Sequence, residues 1–185
     1  MKFIRFFLII FISLTSSVKA DLNKKLIDKL EEGTKLIFIR HAYAPGSGDP
    51  SNFNLNDCST QRNLSDEGRK QAEYIGEFFR NNNIKLDKIL SSEWCRCKET
   101  ALIAFKNFET KSFLNSFFSP KFSDNKKNQV TNLVKYIDHW NKNKNLVLVT
   151  HYVMINEVLN YAPLSGEIVV SNDKFEKIGS IQIEY

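Results

Sequence analysis

Glycine and proline are scarce in this chain of 185 residues, at seven and four. Their rarity excludes collagen-like and low-complexity readings. No internal repeat and no linker-like stretch divides the sequence, so a single domain is expected, large enough to bury a real core. A strong charge excess is also missing. Lys2, Arg5 and Lys19 supply three of the formal +5, which leaves +2 for the rest of the chain. That is too little for nucleic-acid binding by bulk electrostatics. The remaining lysines are scattered among acids and asparagines and read as a solvated surface.

What is present begins with a basic start, Lys2 and Arg5, followed by an apolar run from Phe6 to Leu14. Val18-Lys19-Ala20 places small residues before a cleavage point after Ala20. Residues 1–20 therefore read as a secretory signal peptide and 21–185 as the mature domain. The run is short for a permanent bilayer span, and no Cys follows it to carry a lipid. An uncleaved N-terminal anchor is the alternative. The expected location is periplasmic or secreted, with no stable membrane insertion after cleavage. The sequence leaves the oligomeric state open.

Cysteine is limited to Cys58, Cys95 and Cys97. In an oxidising compartment one pair can bridge; the alternative is three packed thiols. A zinc site fits least, because two ligands one residue apart plus a distant third do not match the usual spacings. No metal and no cofactor is expected.

Residues 21–32 carry apolar side chains at Leu22, Leu26, Ile27 and Leu30, which predicts a short amphipathic helix that Gly33 ends. Three compact apolar runs read as buried strands: 35–39, 87–91 and 145–149. Residues 44–63 are polar, with Pro45, Gly46, Gly48 and Pro50, and read as a long loop. Loops of that length in compact domains are usually functional or disordered. Ser65 is a helix N-cap, with Asp66 and Glu67 in the first turn. Helices are expected over 93–105, 128–140 and 153–161, a strand over 113–118, and an antiparallel pair over 167–170 and 177–185. Strands alternating with helices predict a three-layer α/β fold, a mostly parallel sheet with helices on both faces. Sites in such folds lie at the carboxyl ends of strands.

Those ends carry Arg40-His41-Ala42, then Ser91-Ser92-Glu93-Trp94-Cys95-Arg96, then Thr150-His151. Two histidines and two arginines thus share one edge of the sheet. The set suits phosphoryl transfer. Arg forks match the geometry of a phosphate dianion, and nearby cations keep an attacking imidazole neutral while cancelling charge on the phosphoryl oxygens.

Leu36-Ile37-Phe38-Ile39-Arg40-His41 followed by a small residue resembles the signature of the histidine phosphatase, or phosphoglycerate mutase-like, superfamily. Ser91-Ser92 with Arg96 and Thr100-Ala101, and Thr150-His151 after a Val-rich strand, are similar to its second and last motifs. The likeness runs in order through the mature chain and suggests a short exported bacterial member. It implies His41 as the phosphohistidine, Arg40, Arg96 and His151 as the phosphate pocket, and Arg62 as a further pocket residue in short members; otherwise Arg62 is a surface loop residue. Ala42 stands where the family has Gly. Tyr152 follows His151 where the acid phosphatase branch has Asp, so that branch is excluded.

The resemblance implies a metal-independent phosphatase that passes the phosphoryl group through histidine to water. The substrate would be a phosphorylated small molecule or a phosphoprotein. A phosphoglycerate-type mutase and an inactive phosphate-binding module are the alternatives. The general acid is less settled. The family's usual Glu would fall in the stretch 113–117, whose polar candidate is Asn115, a substrate-binding group at most. Glu93 is the better placed acid, or else a plain first-turn helix residue, with Asp49 and Asp57 as further candidates. With Arg96 facing phosphate, Cys95 and Cys97 lie about 100° to either side of it on a helix, where either can bridge to Cys58 and hold the loop that leads to Arg62.

Overall fold

In a computed structural model, residues 22–183 are described; the expected signal segment, 1–20, lies outside them. Helix α1 occupies residues 22–31, and Gly33, at φ +77°, turns the chain into the sheet. The strands are β1 Leu36–Arg40, β2 Leu86–Ser91, β3 Glu109–Thr110, β4 Asn145–Thr150, β5 Ile168–Ser171 and β6 Lys177–Ile181. The remaining helices are α2 Asp66–Asn81, α3 Cys95–Phe105, α4 Lys126–Asp138 and α5 Tyr152–Leu159. The sheet order is β3-β2-β4-β1-β5-β6. Pairs β2·β3, β2·β4 and β1·β4 are parallel, while β5 runs antiparallel to both β1 and β6.

Successive strand residues face opposite sides of a sheet. The split here is clean. Ile37, Ile39, Val147, Val149, Ile168 and Val170 pack with Leu26 and Leu30 of α1, Ile75 and Phe79 of α2, and Ala101 and Ala104 of α3. Leu36, Phe38, Leu146, Leu148 and Val169 pack with Leu133 and Ile137 of α4 and Met154 and Ile155 of α5. Central strands β1 and β4 are apolar on both sides because both sides are covered. Helices on both faces of a mostly parallel sheet are the expected architecture. No helix among the described residues is long and apolar enough to cross a membrane.

Ser65 caps α2, its side chain accepting a hydrogen bond from the Gly68 amide. One expected element is corrected. Residues 113–118 do not form a strand; Ser112–Leu114 is a 3-10 turn, and pairing is confined to Glu109–Thr110. Leu114 drops into the core while Phe118 stays 60% exposed. Glu93 is also placed differently from a first-turn residue, since Trp94 is the N-cap of α3 and Glu93 precedes it.

Candidate active site

The carboxyl ends of β1, β2 and β4 meet at one edge of the sheet, as the parallel registers Arg40↔Thr150 and Ser91↔Val149 require. The chain leaving β1 is pinned there. The His41 amide donates to Thr150 O at 3.0 Å, and the Ala42 amide to Thr100 Oγ1 of α3 at 3.0 Å. Gly68 on α2 lies so close that an added Cβ would stand 2.0 Å from Tyr43 O. These contacts fix the His41 backbone before its ring is considered.

His41 Nδ1 lies 2.8 Å from Ala42 O. A carbonyl only accepts, so Nδ1 carries the proton and Nε2 presents its lone pair. Arg96 Nε–H points at that nitrogen from 3.2 Å. Opposite, Ser92 Oγ donates to Asn115 Oδ1 at 3.0 Å and lies 2.9 Å from His151 Nε2. A hydroxyl has one proton, so His151 Nε2–H donates to Ser92, and its Nδ1 faces Arg96 Nη2 at 3.5 Å. The two imidazole centroids are 5.6 Å apart.

Arg40, His41, Arg62, Arg96 and His151 all line a single cavity of about 140 Å³. Arg40 bonds Pro163 O at 2.9 Å through Nη1, while its buried Nε has no hydrogen-bond partner among the described residues. Arg62 bonds Ala44 O and Gly48 O and so shapes the loop between them. Gly46 and Gly48 have φ of +85° and +67°, which lets that loop turn tightly over the cavity. Glu93 and Asn115 are brought to each other rather than to the cavity wall. Asn115 Nδ2 donates to Glu93 Oε2 at 2.6 Å, and Asn115 Oδ1 accepts from the Glu93 amide at 2.8 Å. Asn115 thereby supports Ser92, and through it His151.

Residues 36–115 match the family model of the histidine phosphatase superfamily, branch 1. The match covers 80 of the 185 residues and includes the stretch that carries Arg40, His41, Arg62 and Arg96. The mitochondrial serine/threonine-protein phosphatase Pgam5 of Drosophila yakuba is 32% identical over 92 residues, 49% of this chain and 29% of that protein. The chain therefore matches under a third of the length of these curated relatives. Among solved structures, the protein histidine phosphatase SixA complexed with tungstate superposes with a TM-score of 0.57 at 11% identity, over 80% of this chain and 96% of that one. SixA of Agrobacterium tumefaciens, named for a phosphohistidine phosphatase, gives 0.56 at 17% identity, over 81% and 99%. At such identities the structural likeness speaks for the fold.

At this site the electrostatics follow from burial. Burial pushes His41 well below its ordinary value, and the Arg96 charge adds to the shift. Burial, Arg96 and His41 do the same to His151. Burial and Arg96 also lower Arg40 and Arg62. Burial alone would raise the Asp49 carboxyl, but its hydrogen bond and charge pairing with Arg96 outweigh that and hold it below the usual range.

Cys58 is bridged to Cys95, with Cα atoms 5.7 Å apart. The alternative partner, Cys97, is a free buried thiol, which burial pushes up to about 12. The bridge ties the loop bearing Asp49 and Arg62 to the residue preceding Arg96.

Sequence reasoning did not single out Ser92 as the support of His151, nor the pairing of Asp49 with Arg96. It also missed the aromatic wall of Trp94, Phe118, Phe122 and Tyr152 on the same cavity. The aromatic residues carry no periodic signal that separates a cavity wall from core. Ser92 was legible in one respect, standing one residue past a strand end.

Proposed function

We propose that the chain is a phosphatase in which His41 Nε2 takes the phosphoryl group of a phosphate ester and water then removes it. The Nε2–P bond forms as the P–O bond to the leaving group breaks, and the departing oxygen takes a proton. Water then attacks phosphorus, the P–N bond breaks, and inorganic phosphate leaves with His41 neutral again. Two easier steps replace one hard one.

The observation that carries this reading is the neutral ring of His41, its Nε2 lone pair turned into a cavity where three guanidiniums converge. Buried cations aimed at developing negative charge are the main resource of such a site. The phosphatase names of Pgam5 and SixA agree with it. Export through residues 1–20 belongs to the same proposal, and a disulfide beside the site suits an oxidising compartment.

The test is rapid-quench labelling with a radiolabelled phosphate ester. An acid-labile, alkali-stable phosphoenzyme is expected, absent from His41→Ala and unaffected by EDTA. Equal labelling of His41→Ala would refute the assignment.

A further inference from the structure

A guanidinium offers five N–H groups in a fixed planar fork. Nε–H and one Nη2–H share its side edge; Nη1 and Nη2 share its end edge. Around Arg96, itself 3% exposed, the two edges have different partners. The Asp49 carboxylate grips the end edge, Oδ1 at 2.7 Å from Nη1 and Oδ2 at 3.3 Å from Nη2. The side edge faces His41 Nε2 at 3.2 Å and His151 Nδ1 at 3.5 Å. The end edge meets a carboxylate, at 2.7 Å on its shorter leg, while the side edge meets only uncharged imidazole nitrogens at longer distances.

Asp49 is itself held. Oδ1 accepts from the Arg62 amide at 3.1 Å, and Oδ2 from Trp94 Nε1 at 3.1 Å. Arg62 O closes the ring by accepting from Arg96 Nη1 at 3.3 Å. Four donors on one carboxylate leave it no proton to give, so Asp49 is poorly suited to act as the general acid.

We propose that Asp49 is a positioning residue: it clamps the end edge of Arg96 so that the side edge faces the gap between His41 and His151, where the phosphoryl group would lie. The role rests on the phosphatase reading above. A phosphoryl oxygen entering that gap exchanges the two long contacts for strong ones, while the Asp49 pair stays in place. The carboxylate also offsets one of the three positive charges around the cavity. This limits the site's grip on phosphate, so the product can leave.

Two effects then separate on substitution. Asp49→Asn keeps the size of the side chain but turns an N–H donor toward the Arg96 or Trp94 donors. The guanidinium loses its aim and the cavity gains a positive charge. Turnover of a phosphate ester is expected to fall roughly 100-fold, the usual cost of a misplaced site group. Inorganic phosphate, measured by calorimetry at fixed ionic strength, is expected to bind roughly tenfold tighter, because a nearby negative charge has gone. Asp49→Glu keeps the charge but not the reach; it should lose turnover and leave phosphate affinity near that of the parent.

A brace that merely supports the loop would weaken turnover and phosphate binding together, and that result in Asp49→Asn overturns the proposal. A third measurement is independent of catalysis. In the parent protein the Arg96 Nε–H should give a resolved, slowly exchanging NMR signal, lost in both variants. Its persistence in Asp49→Asn refutes the clamp even in a protein that neither binds phosphate nor turns over. Should the parent do neither while the signal behaves as expected, the phosphatase reading fails and the clamp stands.

Discussion

Removing the Cys58–Cys95 bridge perturbs both stability and the site. The bonded residues are 37 apart in sequence. In the chain-entropy relation, closing a loop of that length in the unfolded chain corresponds to about 4 kcal/mol at 25 °C. For a chain of this size each kcal/mol is roughly 2–4 °C in midpoint, so a fall of about 8–16 °C is expected. The assay is thermal or urea unfolding of three samples: oxidised parent, parent in dithiothreitol, and Cys58→Ser. The last two should coincide, and dithiothreitol should not change Cys58→Ser. Cys97, buried and with its thiol pushed up to about 12, should resist alkylation in every folded sample. Turnover should fall with the bridge, since Asp49 and Arg62 sit on the released loop. A loss below about 1 kcal/mol, or three alkylatable thiols in the denatured unreduced protein, would refute the reasoning.

Other perturbations have equally definite outcomes. His41 and His151 are buried neutral, whereas their unfolded counterparts protonate near pH 6.5. The unfolded chain then binds more protons, so stability is full above that pH and falls as pH drops toward 5, by about 1.4 kcal/mol per histidine per unit. Urea midpoints that hold steady from pH 7 to 5 would contradict this. Gly68→Ala gains about 1 kcal/mol of helix propensity. The new Cβ, 2.0 Å from Tyr43 O, should cost about 3 kcal/mol, and denaturant titration should show a net loss. Glu93→Gln should slow alkyl and nitrophenyl phosphates by the same small factor, because Glu93 is paired with Asn115 away from the cavity wall. A selective loss on alkyl esters would restore it as the acid.

The parts of this molecule that could be read from sequence are those whose signal is local. Runs such as Leu36–Ile39 and Leu146–Val149 are apolar because both faces are covered, and their ends place His41, Arg96 and His151 on one edge. Ser65 announces α2 by its own chemistry. The stretch 113–118 misleads because its apolar residues serve different ends, Leu114 in the core and Phe118 exposed, so apolar content does not mean a strand. The true edge strand, Glu109–Thr110, is two exposed polar residues with no pattern to read. Asp49 is 47 residues from Arg96. No spacing rule links a loop carboxylate to a guanidinium at that distance; only the folded loop does.

The strand order carries a lesson about how the molecule comes into being. β1 and β2 never touch; each pairs with β4, which stands between them. Until residues 145–150 have left the ribosome, two of the central strands lack a partner along a whole edge. A nascent chain of 140 residues already holds His41, Arg96 and both bridged cysteines, yet it still lacks the strand that stands between β1 and β2. Exposed strand edges are where chains associate wrongly, so the growing polypeptide passes through a sticky interval that ends only when its late central strand arrives. Assembly should therefore be nearly all-or-none. Fragments ending before Asn145 are expected to aggregate rather than form partial domains.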